Sequence, residues 1–375
     1  MNRIVFIITS CRRTGPIRVI TNIIKYLDRE RFEPILITLY EERKDSQLAT
    51  ILPYVSAHYL IKTKRTRIII GNNLELKRIL HKLKPDVIHS TGVLPDYTIS
   101  RLLPNKQIIT IHSHIYKDNI SKYGIIRGTF LAKLQLLAIK RAAYTVTCSK
   151  SLGDIYREDY NLCFEYIRNG IDTGIYSIVS LEEKKECRKH LLIPDKAFVF
   201  IYTGQISAIK NVDFLLKGFV NQFQNIPDVY CVILGDGPQK DRLKEKYKSF
   251  TNVLFRGPVD NVNEYLSASD VYVSASKSEG MPNSVLEAMA SGLPVVLSNI
   301  IQHLEILDIN NLGGFSFKQG DCMDLMRQLQ TAYNCNYEEH SKAAYSIVHS
   351  SFDAKMMSQQ YQSYYNKIIN NINSV

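Results

Sequence analysis

Short apolar runs alternate along the chain with longer stretches in which apolar residues recur every three or four positions. In the first half the runs are Ile4–Thr9, Pro34–Leu39, Asp86–His89, Gln107–His112 and Tyr144–Cys148, each bounded by polar or turn-forming residues. Apolar runs of this length read as strands buried on both faces. Between them Ile17–Leu27, Leu74–Leu83 and Ile125–Arg141 carry helical spacing. The alternation predicts a parallel sheet covered by helices, the doubly wound α/β arrangement. The pattern then restarts. Strands are expected at Phe198–Tyr202, Val229–Leu234, Val253–Arg256, Val271–Ser274 and Pro294–Leu297, with helices such as Val212–Gln224 among them.

The break between the two series falls at the turn-forming cluster Asn169-Gly170-Ile171-Asp172, and Leu181–Leu192 beyond it is a charged helix. A chain of 375 residues exceeds what one hydrophobic core usually serves. Two Rossmann-like domains are therefore expected, 1–172 and 173–353. Ala354–Ile372, rich in Tyr and Gln, reads as a helix, and the segment 354–375 is expected to rejoin the first domain. Two such domains facing each other would set the carboxyl ends of both sheets around a central cleft, where open α/β sheets take ligands.

An apolar fraction of 45% with 22% charged residues excludes a disordered chain. The seven cysteines are scattered and form no CxxC pair. Reduced thiols of a cytoplasmic protein are expected from them, rather than a disulfide framework or a zinc site. The N-terminal apolar run is short and is followed by Arg12 and Arg13, not by a small-residue cleavage site, so it reads as a strand and not as a signal peptide. No stretch reaches the roughly 18 consecutive apolar residues of a membrane span.

Charge changes the picture of the first half. Residues 1–172 hold 28 Lys and Arg against 15 Asp and Glu, a balance of +13, whereas 173–375 hold 19 against 21. The first half is thus expected to meet something anionic: lipid headgroups, a lipid diphosphate or nucleic acid. The best basic cluster, Lys62–Arg67, is short and has no aromatic residues, which argues against nucleic acid.

The richest candidate chemistry is Ser278-Glu279-Gly280-Met281-Pro282-Asn283-Ser284-Val285-Leu286-Glu287, which follows an expected strand and opens an expected helix. Glu279 falls in the loop and Glu287 in the helix's first turn, with seven residues between them. Gly280 lets backbone approach a ligand closely, and the amides at a helix start form an anion site. A carboxylate beside such a site can accept hydrogen bonds from the hydroxyls of a sugar whose diphosphate lies on the amides. The same residues have a plainer reading. Ser284-x-x-Glu287 is also a capping box, which needs no ligand.

Extended to Val296, the run EGMPNSVLEAMASGLPVV resembles the E-x7-E signature of the GT-B glycosyltransferases of family 4. The resemblance implies that Glu279 contacts hydroxyls of a donor sugar and Glu287 the nucleotide ribose. It sets Gly280, Met281, Pro282 and Asn283, with Ser284, on the diphosphate and sugar. Tyr202-Thr203-Gly204-Gln205 followed by Lys210 resembles the family's G-R…K segment, whose two cations neutralise the diphosphate. Lys210 matches, but Gln205 stands where Arg is usual, so a bidentate phosphate contact is lost. Leu234-Gly235-Asp236-Gly237-Pro238 resembles the family's G-x-G-P turn. Phe255-Arg256-Gly257-Pro258-Val259 resembles the loop that contacts the base, which implies a role for Val259.

In the first half Ser10–Ile17 is similar to the family's first-loop glycine pair, with Gly15 kept and Pro16 in place of the second glycine. Thr110–His114 ends an expected strand, and His112 matches the histidine that the family sets against the donor sugar. A packed histidine at a strand end is the alternative. Asp86–Asp96 also resembles the family and carries no assigned chemistry.

The resemblance implies retaining transfer of a hexosyl or N-acetylhexosaminyl group, from a donor taken as UDP-linked to a glycan or lipid-linked acceptor in capsule, O-antigen or exopolysaccharide synthesis. His112, Lys210 and Glu279 would carry the reaction. The chain contains no D-x-D pair, so neither a metal nor another cofactor is implied. The expected location is the cytoplasm, with peripheral contact to the anionic inner face of the membrane through the basic first domain. Ile125–Arg141 mixes apolar and basic residues as an interfacial helix would, but its apolar residues run almost all round, which favours burial. Three other readings stand beside this one: a non-catalytic GT-B-like partner protein, suggested by Gln205; a nucleotide-sugar epimerase, which would lack the E-x7-E run; and a nucleic-acid binder.

Overall fold

Successive residues of the first strand pack into different cores. The computed structural model describes residues 1–43, 46–61 and 73–374, which leaves the basic cluster Lys62–Arg67 outside the described residues. Strand β1 (Asn2–Ile8) sends Ile4, Phe6 and Ile8 to one side and Val5 and Ile7 to the other. The first set meets Ile17, Ile20 and Ile24 of the helix Gly15–Lys25 and Tyr361, Tyr365 and Ile368 of the helix Ala354–Asn373. The second meets Leu76, Leu80 and Leu83 of the helix Leu74–Leu83 and Ile99 of the helix Val93–Leu102. A strand covered on both sides in this way has no polar face, which is why it reads as a continuous apolar run.

The remaining strands of this sheet are β2 (Phe32–Thr38), β3 (Ala57–Leu60), β4 (Val87–Thr91), β5 (Gln107–Ile111), β6 (Tyr144–Thr147) and β7 (Glu165–Tyr166). They pair in the parallel order β3-β2-β1-β4-β5-β6-β7. The second sheet comprises β8 (Phe198–Thr203), β9 (Val229–Leu234), β10 (Val253–Gly257), β11 (Val271–Ser274), β12 (Val295–Ser298) and β13 (Gly314–Phe317), parallel in the order β10-β9-β8-β11-β12-β13. Phe200 and Tyr202 of β8 pack with Leu215, Leu216 and Phe219 of the helix Val212–Phe223. Both sheets are doubly wound, and each reverses its strand order once: between β1 and β4, and between β8 and β11.

The chain divides into two compact units, Met1–Gly170 with Ala354–Val375, and Ile171–Asp353. The terminal helix is tied into the first unit by polar contacts as well as apolar ones. Ser358 Oγ donates to Ile23 O at 2.9 Å, Gln362 Nε2 to Tyr26 O at 3.1 Å, and Tyr365 Oη lies 2.7 Å from His89 Nδ1.

Two expectations about helices need correction. The helix after β11 runs Asn283–Ala290 with Pro282 at its N-cap, so Glu287 is its fifth residue and not in its first turn. Ser284 lies inside that helix and makes no cap; its Oγ is 3.0 Å from Tyr272 Oη. The capping-box reading therefore fails. Pro282, with extended backbone angles, starts the helix two residues before Ser284. The second correction concerns the helix Ile125–Arg141, which is not buried all round. Ile125 is 75% exposed and Ile126 87%, and Phe130 and Leu137 also face solvent.

Candidate functional site

Ligands of doubly wound sheets sit beyond the carboxyl ends of the strands where the order reverses. In the second unit that point lies between the loops that follow β8 and β11, and these loops are stitched together: Lys277 N donates to Ile209 O at 2.8 Å. The stitch sets Lys210 beside Glu279. Lys210 Nζ lies 2.6 Å from both carboxylate oxygens of Glu279, and neither side chain is more than about a quarter exposed. Burial pushes the Glu279 carboxyl up, but the Lys210 ammonium and its hydrogen bonds bring it below its usual value.

Glycines shape the floor of this region. The turn after β9 presses its backbone against the loop after β8: Gly204 N donates to Leu234 O at 3.0 Å, Ile206 N to Asp236 O at 2.9 Å and Gln239 N to Ile206 O at 3.1 Å. Gly235 has φ +128°, and a Cβ there would lie 1.9 Å from Gly204 O. No side chain fits in that space. The G-x-G-P turn is thus a packing device that holds the Gly204–Lys210 loop from beneath.

Among the sequence candidates of this unit, Gln205 is exposed, and its carbonyl accepts a hydrogen bond from Tyr202 Oη at 2.9 Å. Gly280, Met281 and Pro282 are buried and lead into the helix at Asn283. Glu287 is buried within that helix, and Val259 is half-buried just past β10, after Gly257 at φ +73°. Lys210 and Glu279 are the pair brought into direct contact. Gly15 and His112 belong to the other unit. Gly15 is the exposed first residue of its helix, with Pro16 next, where a missing amide hydrogen costs nothing. His112 follows β5 directly, and burial with the nearby Lys122 pushes its pKa down to about 4. Its Nε2 is shielded and has no hydrogen-bond partner among the described residues.

Sequence reasoning missed four residues. Hydrogen bonds join His303 to Ser298 and Ser298 to the Ser276 carbonyl, at the start of the loop that carries Glu279, and Tyr272 Oη lies between Thr203 O, at 3.2 Å, and Ser284 Oγ. Their grouping comes from the pairing of β11 with β8 and β12, and no local spacing announces it.

Two family models match this chain: "Glycosyl transferases group 1" over residues 197–334 and "Glycosyltransferase Family 4" over residues 14–174. The first takes in the whole Lys210–Glu279 region. The chain belongs to the family 4 glycosyltransferases. This glycosyltransferase is 25% identical to the O-antigen biosynthesis glycosyltransferase WclY of Escherichia coli over 99% of each chain. It is 27% identical, over 66% of each chain, to the UDP-Gal:alpha-D-GlcNAc-diphosphoundecaprenol alpha-1,3-galactosyltransferase of the same organism. Its fold is similar to that of sucrose-phosphate synthase from Thermosynechococcus elongatus, with a TM-score of 0.81 at 17% identity over 99% of this chain and 100% of that one. The two Rossmann-like units are those of the GT-B glycosyltransferases. Among the described residues no helix is long and apolar enough to cross a membrane.

Proposed function

We propose that this glycosyltransferase moves a hexosyl or N-acetylhexosaminyl group, with retention and without a metal, from a UDP-sugar to a glycan or lipid-linked acceptor in cell-surface polysaccharide synthesis. The observation that carries the reading is the Lys210–Glu279 pair at the strand-order reversal of the second unit. Each partner has a task elsewhere once a donor arrives. Lys210 turns to the diphosphate, helped by the amides that open the helix at Asn283, and Glu279 turns to the sugar hydroxyls. The C1–O bond to the diphosphate breaks, the acceptor oxygen bonds C1 from the same face, and its proton passes to the departing phosphate. Stabilisation of that phosphate is the main electrostatic task, and one positioned cation typically contributes about 3 kcal/mol.

The other assignments rest on resemblance: His112 to the sugar, Gly15 to phosphate, Glu287 to the ribose and Val259 to the base. With Gln205 at the second cationic position, Lys210 carries more of the diphosphate charge here than in relatives with an Arg there. The two Escherichia coli relatives, an O-antigen biosynthesis enzyme and a transferase to a diphosphoundecaprenol-linked sugar, support an O-antigen-type product and an acceptor on a lipid diphosphate. A first unit that binds the acceptor, at the cytoplasmic face of the membrane, fits the +13 balance of residues 1–172 and the exposed Ile125 and Ile126.

The test is transfer itself. Purified protein is given a panel of UDP-sugars with a polyprenyl-diphosphate glycan, with and without EDTA, and product configuration is read by NMR. Retained configuration unaffected by EDTA is expected; an inverted product or loss of activity in EDTA overturns the mechanism. UDP binding without transfer to any acceptor favours the non-catalytic partner reading.

A further inference from the structure

His303 lies in the helix Ile301–Leu307, just past β12, and is fully buried. Its Nδ1 is 2.8 Å from Ser298 O and 3.2 Å from Ser298 Oγ. A carbonyl cannot donate, so Nδ1 carries the hydrogen and Nε2 is left as a bare acceptor. Nε2 is shielded from solvent and has no partner among the described residues. The ring is close enough to Glu279 and Lys210 for the charges of both to act on it.

From His303 a chain of bonds leads to the start of the loop that carries Glu279. Ser298 Oγ donates to Ser276 O at 2.6 Å, and Gln319 Nε2 supports the same carbonyl at 3.3 Å. The Ser276 hydroxyl, 3.2 Å from that of Ser274, lies near enough to the Glu279 carboxylate to favour its charged form. Ser274, Ser276, Ser298 and His303 are all buried, so this polar network sits where unmet bonds are expensive and geometry is tightly held.

We propose that His303 is a positioning residue for Glu279: its Nδ1–H fixes Ser298, Ser298 fixes the Ser276 carbonyl, and the loop anchored there holds the Glu279 carboxylate toward the donor sugar. The role rests on the donor reading of Glu279 given above. Lys210 also holds Glu279, but that contact is given up when the ammonium turns to the diphosphate. The anchored loop then keeps the carboxylate in place. His303 stays neutral in this arrangement, because burial lowers its pKa to about 4, so it does not compete with sugar hydroxyls for the carboxylate's charge.

Substitutions separate the two ring nitrogens. Asn places an amide hydrogen where Nδ1–H stands, whereas Gln mimics Nε2 and Leu mimics neither. Affinities for UDP and for the UDP-sugar that the wild type binds best are measured by calorimetry, with kcat and KM for transfer beside them. His303→Leu and His303→Gln are expected to lose tenfold or more in kcat/KM and in UDP-sugar affinity, with UDP affinity unchanged. His303→Asn is expected to stay within about threefold of wild type in the same measurements, since it keeps the one hydrogen bond at issue. Ser298→Ala, which spares the carbonyl but breaks the link to Ser276, should fall with the Leu and Gln variants.

Equal loss in the Asn variant, or equal loss of UDP and UDP-sugar affinity in all four, overturns the positioning role. Donor affinity that His303→Leu retains does so as well. A wild-type protein that binds no nucleotide sugar overturns the donor reading instead, and the role built on it.

Discussion

Lys210 Nζ sits 2.6 Å from each oxygen of the Glu279 carboxylate, a two-oxygen grip by one ammonium on a largely buried acid. Removing one partner of such a pair leaves the other charge stranded. Lys210→Met is therefore expected to lower stability by about 2 kcal/mol and transfer by a hundredfold or more. Glu279→Gln leaves a polar side chain beside Lys210, the more exposed of the two, and should cost less stability, while abolishing most transfer and leaving UDP affinity nearly unchanged. Denaturant melts and UDP calorimetry on the same preparations test both. A Glu279→Gln enzyme with full transferase activity sinks the role assigned to this carboxylate.

The pair also has a pH signature. Because the Glu279 carboxyl titrates below its ordinary value of 4.5 in the fold, its contribution to stability is present above that value. It is lost as pH falls through the lower folded value, so wild type should lose stability over Lys210→Met on the acid side of pH 4.5.

Much of this architecture was legible in the apolar runs, because strands covered on both faces have little choice of residue. Val229–Leu234 and Val271–Ser274 fall where the runs predict them. Strands β3, β7 and β13 were not legible. All three are sheet edges, where Ala57–Leu60 is only half-buried and Glu165–Tyr166 is exposed, so neither shows an apolar run. Within the candidate site, the Glu279 loop stood out through its motif, but Ser276, Ser298 and His303 did not. Their connection to Glu279 passes between strands adjacent in space and not in sequence. The capping box misled for a local reason: Ser-x-x-Glu has the right spacing, yet Pro282 starts the helix two residues earlier.

That correction sharpens what Glu287 can tell. As the fifth residue of its helix it caps nothing, so an effect of Glu287→Ala on nucleotide affinity is not a by-product of a lost cap. The expected outcome is roughly tenfold weaker UDP binding, the worth of one charge-assisted hydrogen bond to a ribose hydroxyl. Unchanged affinity would remove Glu287 from the nucleotide site.

Gly235→Ala forces a methyl to within 1.9 Å of the Gly204 carbonyl at a backbone angle of φ +128°. Since backbone stands on both sides, no rotamer relieves the clash, and a loss of about 3 kcal/mol or more is expected. Gly257→Ala is the natural control. Its φ of +73° is also left-handed, but a Cβ there meets nothing within 4 Å, so only the conformational penalty of about 1 kcal/mol remains. Equal melting temperatures for the two variants would refute the claim that the turn after β9 supports the Lys210 loop by close backbone contact.

Asp96 gives a second pH prediction with the opposite sign. It lies fully buried in the helix Val93–Leu102, where burial pushes its carboxyl up to about 7 against hydrogen bonds from Ser90, Gln135 and the Gly92 backbone. The folded protein thus holds a proton that the unfolded chain releases near pH 3.8, and the stability this brings is lost as pH rises to about 7. Asp96→Asn should flatten the stability profile across that window and be the more stable protein at pH 8. Parallel profiles for the two proteins would show that Asp96 is ionised in the fold.

The helix Ile125–Arg141 holds Arg127, Lys133, Lys140 and Arg141 and not one acidic residue, while Ile125 and Ile126 project from its first turn. A second copy of this face would be repelled by its own charge, whereas an anionic bilayer satisfies both the cations and the isoleucines. Each isoleucine that enters the headgroup region contributes about 2 kcal/mol and each cation near the surface about 1 kcal/mol. Ile126→Glu is thus expected to weaken binding to phosphatidylglycerol-containing vesicles at least tenfold, and Lys133→Ser about fivefold, with transfer to a water-soluble acceptor unaffected because both side chains face solvent and neither is among the residues assigned to the reaction. High salt should erase the Lys133 effect and spare the Ile126 effect, since only the former is electrostatic. Sedimentation with phosphatidylcholine vesicles alone supplies the baseline. Wild-type binding that ignores anionic lipid, or an Ile126→Glu protein that sediments like wild type, would rule out this helix as the membrane face.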